Sequence, residues 1–313
     1  MAREVSRAGC CQSRTPVEET AMTLRRPEDF GHHFVQLREL RVHYVREGSG
    51  PPLVLWHGWP GFWWDWRNVI GPLAEKFDVI APDFRGAGDT DKADLTDVGK
   101  YSMTQLADDQ AAFLDALGIP RAYVLGYDWG SVVAHKFLRR HPGRVIKAVL
   151  LDPITPGFGS MEGSYGAEEW YCVFHEYDSA LNLMSLNRDS RRIYYQHFYD
   201  VWSHRQPLLT GEELEIVVEN YMKPGNVHGG FNYDRANLVR GADPWTREDF
   251  EVSGIPLTVL WGLSDPAVPP AGAARLPDFY TNYTVEEIED CGHFVMIERP
   301  DLVISTVVSS FAE

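Results

Sequence analysis

A carboxylate framed by two glycines carries the first chemistry in this chain. Gly126-Tyr127-Asp128-Trp129-Gly130 lies between an apolar run that reads as a strand, residues 121–127, and a stretch with helical spacing, Trp129–Arg140. A strand-turn-helix bend lifts one side chain above the sheet edge. The glycines matter because such a turn leaves no room for a Cβ. Acyl transfer to a carboxylate would give a reactive anhydride, whereas displacement at a saturated carbon gives an alkyl ester that water can later cleave. Asp128 in the nucleophile position therefore points to an sp3 electrophile, an epoxide or a carbon–halogen bond. The bland alternative is an aspartate that only caps the next helix.

The partners for such a nucleophile lie at other strand ends. His57-Gly58-Trp59-Pro60 follows the third strand, and the Trp59 and Trp129 N–H groups are the expected oxyanion-hole pair, holding the charge that forms when water attacks the enzyme ester. Asp265 (in Trp261-Gly262-Leu263-Ser264-Asp265-Pro266) and His293 (in Cys291-Gly292-His293-Phe294) follow the last two strands. The chain order is then nucleophile, acid, histidine: Asp128, Asp265, His293. His293 would take a proton from water, while the acid fixes its tautomer. A loop histidine, one of 11, is more often a surface group; its order and its place at a strand end favour catalysis. Asp152, at the end of the strand after the nucleophile helix, is the alternative acid, with Asp265 favoured.

The elements that position these residues alternate. A hairpin over residues 34–47 leads into a buried strand at 52–57, a helical stretch at 65–76 and a second buried strand at 77–81. After a loop rich in Gly and Asp come a helix at 103–117, the strand and helix that flank Asp128, and a strand at Val145–Leu151. Helices alternating with strands predict an α/β fold with a mostly parallel sheet flanked by helices. Beyond Pro153 the alternation stops, and it returns with strands at 255–262 and 283–289 and a final helix after Pro300. The expected organisation is a disordered tail over residues 1–29, an α/β core over 30–155 and 251–313, and an inserted helical cap over 156–250. Within the cap, Thr210 and Glu213 form a capping-box pattern whose helix should stop before Pro224-Gly225. Met22 just precedes the first structured-looking segment, and no function is assigned to the polar stretch before it.

At 313 residues, 44% hydrophobic, the chain matches one globular core with an elaboration. A net charge of −16 repels phosphate backbones and anionic lipid surfaces, so neither nucleic acid nor a membrane is an expected partner. The four cysteines show no metal-ligand spacing, and a reducing compartment is expected. No run approaches a membrane span, and the first 20 residues lack the apolar block of a signal peptide, which predicts a cytoplasmic protein. Expected partners are a small apolar organic substrate and water, with a homodimer left open. No metal or other cofactor is expected.

Three stretches, residues 57–67 (HGWPGFWWDWR), 79–92 (VIAPDFRGAGDTDK) and 122–130 (AYVLGYDWG), closely resemble the α/β-hydrolases that use an aspartate nucleophile. These are the epoxide hydrolases, haloalkane dehalogenases and fluoroacetate dehalogenases. The resemblance runs from about residue 30 to the C-terminus and implies the α/β-hydrolase fold with an inserted helical cap. Fluoroacetate dehalogenases carry two arginines where this chain has Trp129 and Val132, which disfavours a small haloacid. Haloalkane dehalogenases often carry asparagine where Trp59 stands. Epoxide hydrolases open the ring with two cap tyrosines: Tyr171 falls at the first position, while Asp234 occupies the second and Tyr233 is one residue off. One residue is about 100° of helical rotation; a protonated Asp234 is the alternative donor.

The resemblance therefore implies an epoxide hydrolase acting through an alkyl–Asp128 ester. The rival is a haloalkane or haloacid dehalogenase using the same ester, with Trp129 and either Trp59 or Trp170 around the halide. A ligand receptor without turnover is a third reading. The aromatic-rich segment 156–250, with His57, Trp170 and Asp234, is expected to line an apolar pocket, although a helical lid also needs aromatic residues for its own core.

Overall fold

The computed structural model describes residues 24–156, 170–239 and 245–311. Eight strands form one sheet: β1 (His32–Gln36), β2 (Arg41–Gly48), β3 (Pro52–Trp56), β4 (Asp78–Pro82), β5 (Ala122–Tyr127), β6 (Val145–Leu151), β7 (Leu257–Gly262) and β8 (Tyr283–Ile288). Their spatial order is β1-β2-β4-β3-β5-β6-β7-β8. The β1–β2 and β2–β4 pairs are antiparallel and every other pair is parallel. This is the α/β-hydrolase fold.

The central strands are buried on both faces, which explains why they read as continuous apolar runs. Helices supply the cover. Among them, α1 (Arg67–Ala74) packs with α10 (Pro300–Phe311), and α2 (Met103–Ala116) packs with α3 (Trp129–Arg140). Every residue of α3 except Arg140 is buried. The helix that follows Asp128 is therefore fixed along nearly its whole length.

Between β6 and β7 lie α4 (Trp170–His175), α5 (Asp178–Ser185), α6 (Arg188–Val201), α7 (Gly211–Met222) and α8 (Asn226–Asp234); α9 (Val295–Glu298) follows β8. The Thr210 hydroxyl accepts the Glu213 N–H and the Glu213 carboxylate accepts the Thr210 N–H, so α7 starts where its sequence predicts. Gly225, at φ +86°, turns the chain into α8, which no start signal in the sequence foretold. Across the seam to the core, the buried Arg67 donates to Glu213 through Nε at 3.1 Å and Nη2 at 2.7 Å.

Of the expected tail 1–29, residues 24–29 are held on the core instead. Arg25 pairs with Glu47 at 2.6 Å, and Pro27–Asp29 form a 3-10 turn. Residues 1–23 lie outside the described residues. Among the described residues, no helix is long and apolar enough to cross a membrane.

Candidate active site

Asp128 occupies a bend with φ +49° and ψ −123°, a backbone region that costs a non-glycine residue about 1–3 kcal/mol. Its surroundings impose the conformation. A Cβ on Gly130 would run into the Trp56 carbonyl of β3, and one on Gly58 into the Asp128 side chain itself. The Asp128 carbonyl accepts the N–H groups of Ser131 and Val132 at 2.9 and 3.1 Å and the Ser131 hydroxyl at 2.7 Å, which opens α3. Its side chain makes no capping bond to the helix. The carboxylate is thus left for other work.

Each carboxylate oxygen faces a different group. Oδ1 accepts the Trp59 N–H at 2.7 Å, while Oδ2 lies 3.5 Å from His293 Nε2. The Trp129 N–H is the first amide of α3 and has no acceptor within the helix. His293 Nδ1 donates to Asp265 Oδ2 at 2.8 Å, and Asp265 Oδ1 accepts the Ala267 and Val268 N–H groups at 2.7 and 3.0 Å. These two amides fix the acid, and the acid fixes the ring. The structure thereby brings Asp128, His293 and Asp265 together from the ends of β5, β8 and β7.

Asp152 is close but differently engaged. Its Oδ1 accepts the Gly262 N–H at 2.8 Å and its Oδ2 is buried without a partner. Burial, reinforced by the Asp265 charge, pushes its pKa well above the carboxylate range. Burial opposes charging His293, yet Asp265 and Asp128 outweigh it and raise the imidazole well above its ordinary value. Ligand atoms of Asp152, Asp265 and His293 lie within 4.8 Å of one another, but Nδ1 and both Asp265 oxygens are already hydrogen-bonded within the protein.

The aromatic wall comes from the inserted helices. The half-buried Tyr171 of α4 lies parallel to Trp59, with centroids 5.5 Å apart and planes at 5°, and it also meets Trp202, which packs on His293 at 5.3 Å. Tyr171 is thus within one ring layer of both Trp59 and His293. Burial pushes its pKa well above the phenol range, with the Asp234 and Asp128 charges adding to the effect.

Other expected site residues have different duties. Tyr233 donates its hydroxyl to the Arg85 carbonyl at 2.8 Å, so the one-residue offset along α8 commits it to a backbone acceptor. Asp234 is hydrogen-bonded to His175 Nδ1, and His175 Nε2 meets the Tyr194 hydroxyl at 2.6 Å. Burial raises the Asp234 pKa against the opposing pull of His175. His57 donates from Nδ1 to the Gly58 carbonyl at 2.8 Å and accepts the Phe84 N–H at Nε2 at 3.0 Å. These two bonds tie the loop after β3 to the segment after β4. Trp170 is 43% exposed and stacks on Phe198. The Asp234–His175–Tyr194 chain was missed in the sequence; its one local signal is that His175 falls four residues after Tyr171, on the same helix face.

The chain matches the α/β-hydrolase fold family over residues 51–300. It is 33% identical to the soluble epoxide hydrolase of Corynebacterium sp. (strain C12), an alignment covering 90% of this chain and 97% of that one. Identity to epoxide hydrolase 1 of Caenorhabditis elegans is 27%, covering 88% and 69%. The ligand-free structure of the epoxide hydrolase CorEH superimposes with a TM-score of 0.78 at 29% identity, over 90% of this chain and 99% of that one. With its strained carboxylate facing a backbone amide on one side and an acid-paired histidine on the other, the chain belongs to the α/β-hydrolase fold family as a relative of the epoxide hydrolases, and it is a hydrolase.

Proposed function

We propose that this enzyme opens a small apolar epoxide to a vicinal diol through an ester on Asp128, with α4–α8 acting as a cap over the site. The observation that carries the reading is the division of the Asp128 carboxylate: Oδ1 rests on the Trp59 amide while Oδ2 faces His293. The free oxygen, Oδ2, attacks a ring carbon and the carbon–oxygen bond breaks. The departing alkoxide takes a proton from the Tyr171 hydroxyl. Water, deprotonated by His293, then adds to the ester carbonyl, and the oxyanion falls between the Trp59 and Trp129 amides. Collapse releases the diol, and the imidazolium proton restores the phenol. No metal or cofactor is required.

Esterification prepares the second step. It removes the negative charge 3.5 Å from Nε2, so the His293 pKa falls when the ring must accept a proton. A single turnover in 18O-water tests the covalent route. Label should enter the Asp128 carboxylate while the first diol molecule keeps an enzyme oxygen; label appearing directly in that diol would overturn the proposal.

The two acids should separate by mutation. Asp265→Asn is expected to cost about 10³–10⁴-fold in kcat through loss of the ring's tautomer and charge partner. Asp152→Asn, at a side chain that accepts the Gly262 amide while the His293 ring bonds to Asp265, should stay within about tenfold. Steady-state kinetics on both variants checks the assignment, and the reverse ranking would move the acid role to Asp152.

One observation favours a carbon–halogen substrate as a second reading: the buried Trp59 Nε1–H has no acceptor and could hold a departing halide. Halide release from a bromoalkane panel, set against diol formation from epoxides, separates the two.

A further inference from the structure

Asp65 is a fully buried carboxylate that the proposed chemistry does not use. It lies in the 3-10 turn Trp63–Trp66, between the oxyanion loop and α1. Its Oδ2 receives the hydroxyl of Tyr127, the residue just before the nucleophile. Its Oδ1 receives the Tyr199 hydroxyl of α6 at 3.1 Å. The two phenols thus reach one carboxylate from the core and from the insertion. Gly61 makes the space, since a Cβ there would collide with both the Asp65 carboxylate and the Tyr127 hydroxyl.

Both phenols also border the histidine side of the site. The Tyr127 ring meets His293 edge-on at 6.1 Å, and Tyr199 stacks on Phe294 at 4.7 Å. A buried carboxylate without donors would carry a large desolvation cost. Here each oxygen has one donor, and losing either phenol leaves an oxygen unsatisfied. Neither tyrosine can therefore shift without a cost to the other's partner.

We propose that Asp65 is a positioning residue that couples the seating of α6 to the geometry of the Asp128 bend, so that insertion and nucleophile reach working alignment together. The groups facing Asp65 are Tyr127 from β5, Tyr199 from α6, Tyr221 from α7, His293 from the loop after β8, and Arg67 from its own segment. Burial outweighs the two phenols and the Arg67 and His293 charges, and its pKa rises to about 6. By reciprocity, an ionised Asp65 favours the imidazolium form of His293. The carboxyl is neutral below that pH and charged above it, so the pH profile of turnover should carry an ionisation there.

The inference rests on the proposed reaction only for its readout. Tyr127→Phe, Tyr199→Phe, their double mutant and Asp65→Asn are compared in Tm, KM, kcat and the rates of ester formation and decay. Each single Tyr→Phe change should lower kcat about tenfold with KM nearly constant. The double mutant should lose little more than the worse single, because either loss breaks the same tie. Asp65→Asn should lower kcat similarly and remove the ionisation near pH 6. A drop in Tm with kcat unchanged, or fully additive losses in the double mutant, would overturn the proposal. Each Tyr→Phe change deletes a single oxygen atom, so these variants keep the test intact if Asp65→Asn fails to fold. Absence of an ester in the wild-type enzyme would instead mark failure of the reaction assigned above.

Discussion

His293→Gln is expected to stop turnover after the first half-reaction. Mixed with an epoxide that the wild-type enzyme hydrolyses, the variant should gain the mass of one substrate, the adduct should map to the peptide containing Asp128, and kcat should fall at least about 10⁴-fold. Glutamine can still donate a hydrogen bond toward Asp265, but it cannot take a proton from water. The ester therefore forms and persists. Its decay in the wild-type enzyme should speed up with pH, with an apparent pKa below that of His293 in the free enzyme, because the ester lacks the Asp128 charge that helps hold the free imidazole high. Single-turnover decay rates and histidine titration by NMR give the two values. An unmodified protein with every active epoxide would remove His293 from the ester-cleaving step.

The bend and its flanking elements were legible because their information is local. Strand β6 and helix α3 have the bounds their sequence predicts, since each is marked by its own residues: a mostly apolar run for β6, and for α3 the turn at Asp128. The order of Asp265 and His293 was legible for a related reason, as both follow strands that end at the same sheet edge. The choice between Asp265 and Asp152 was not. Both acids end strands and each has one oxygen on backbone amides; they are separated by the ring, whose Nδ1 meets the second Asp265 oxygen while the second Asp152 oxygen stays without a partner.

Long-range pairs explain the other differences. The direction of the Tyr233 hydroxyl depends on the Arg85 carbonyl, 148 residues away in sequence. Asp65 meets partners 62 and 134 positions away. Within its own segment, Asp65 reads as an ordinary acidic residue beside Arg67. Only the folded chain shows two phenols converging on it, and no periodicity carries that information.

Asp128→Asn is expected to abolish activity toward epoxides and haloalkanes alike, by at least about 10⁵-fold in kcat, while Tm stays within a few degrees of wild type. An amide is too weak a nucleophile to open a carbon–oxygen or carbon–halogen bond. The fold should tolerate the change, because asparagine adopts positive φ more readily than most residues and its carbonyl oxygen can still accept the Trp59 N–H. Kinetics and thermal unfolding on one preparation, with a mass check for deamidation back to aspartate, make the comparison. Full activity without reversion would rule out a bond-forming Asp128. The pattern also separates the nucleophile from the helix-capping alternative: asparagine caps a helix about as well as aspartate, so a mere cap would leave both stability and catalysis nearly unchanged. The Asp128 side chain makes no capping bond, so under the proposed reaction the loss should fall on kcat and not on the stability of α3, the strained backbone at φ +49° being unchanged by the substitution.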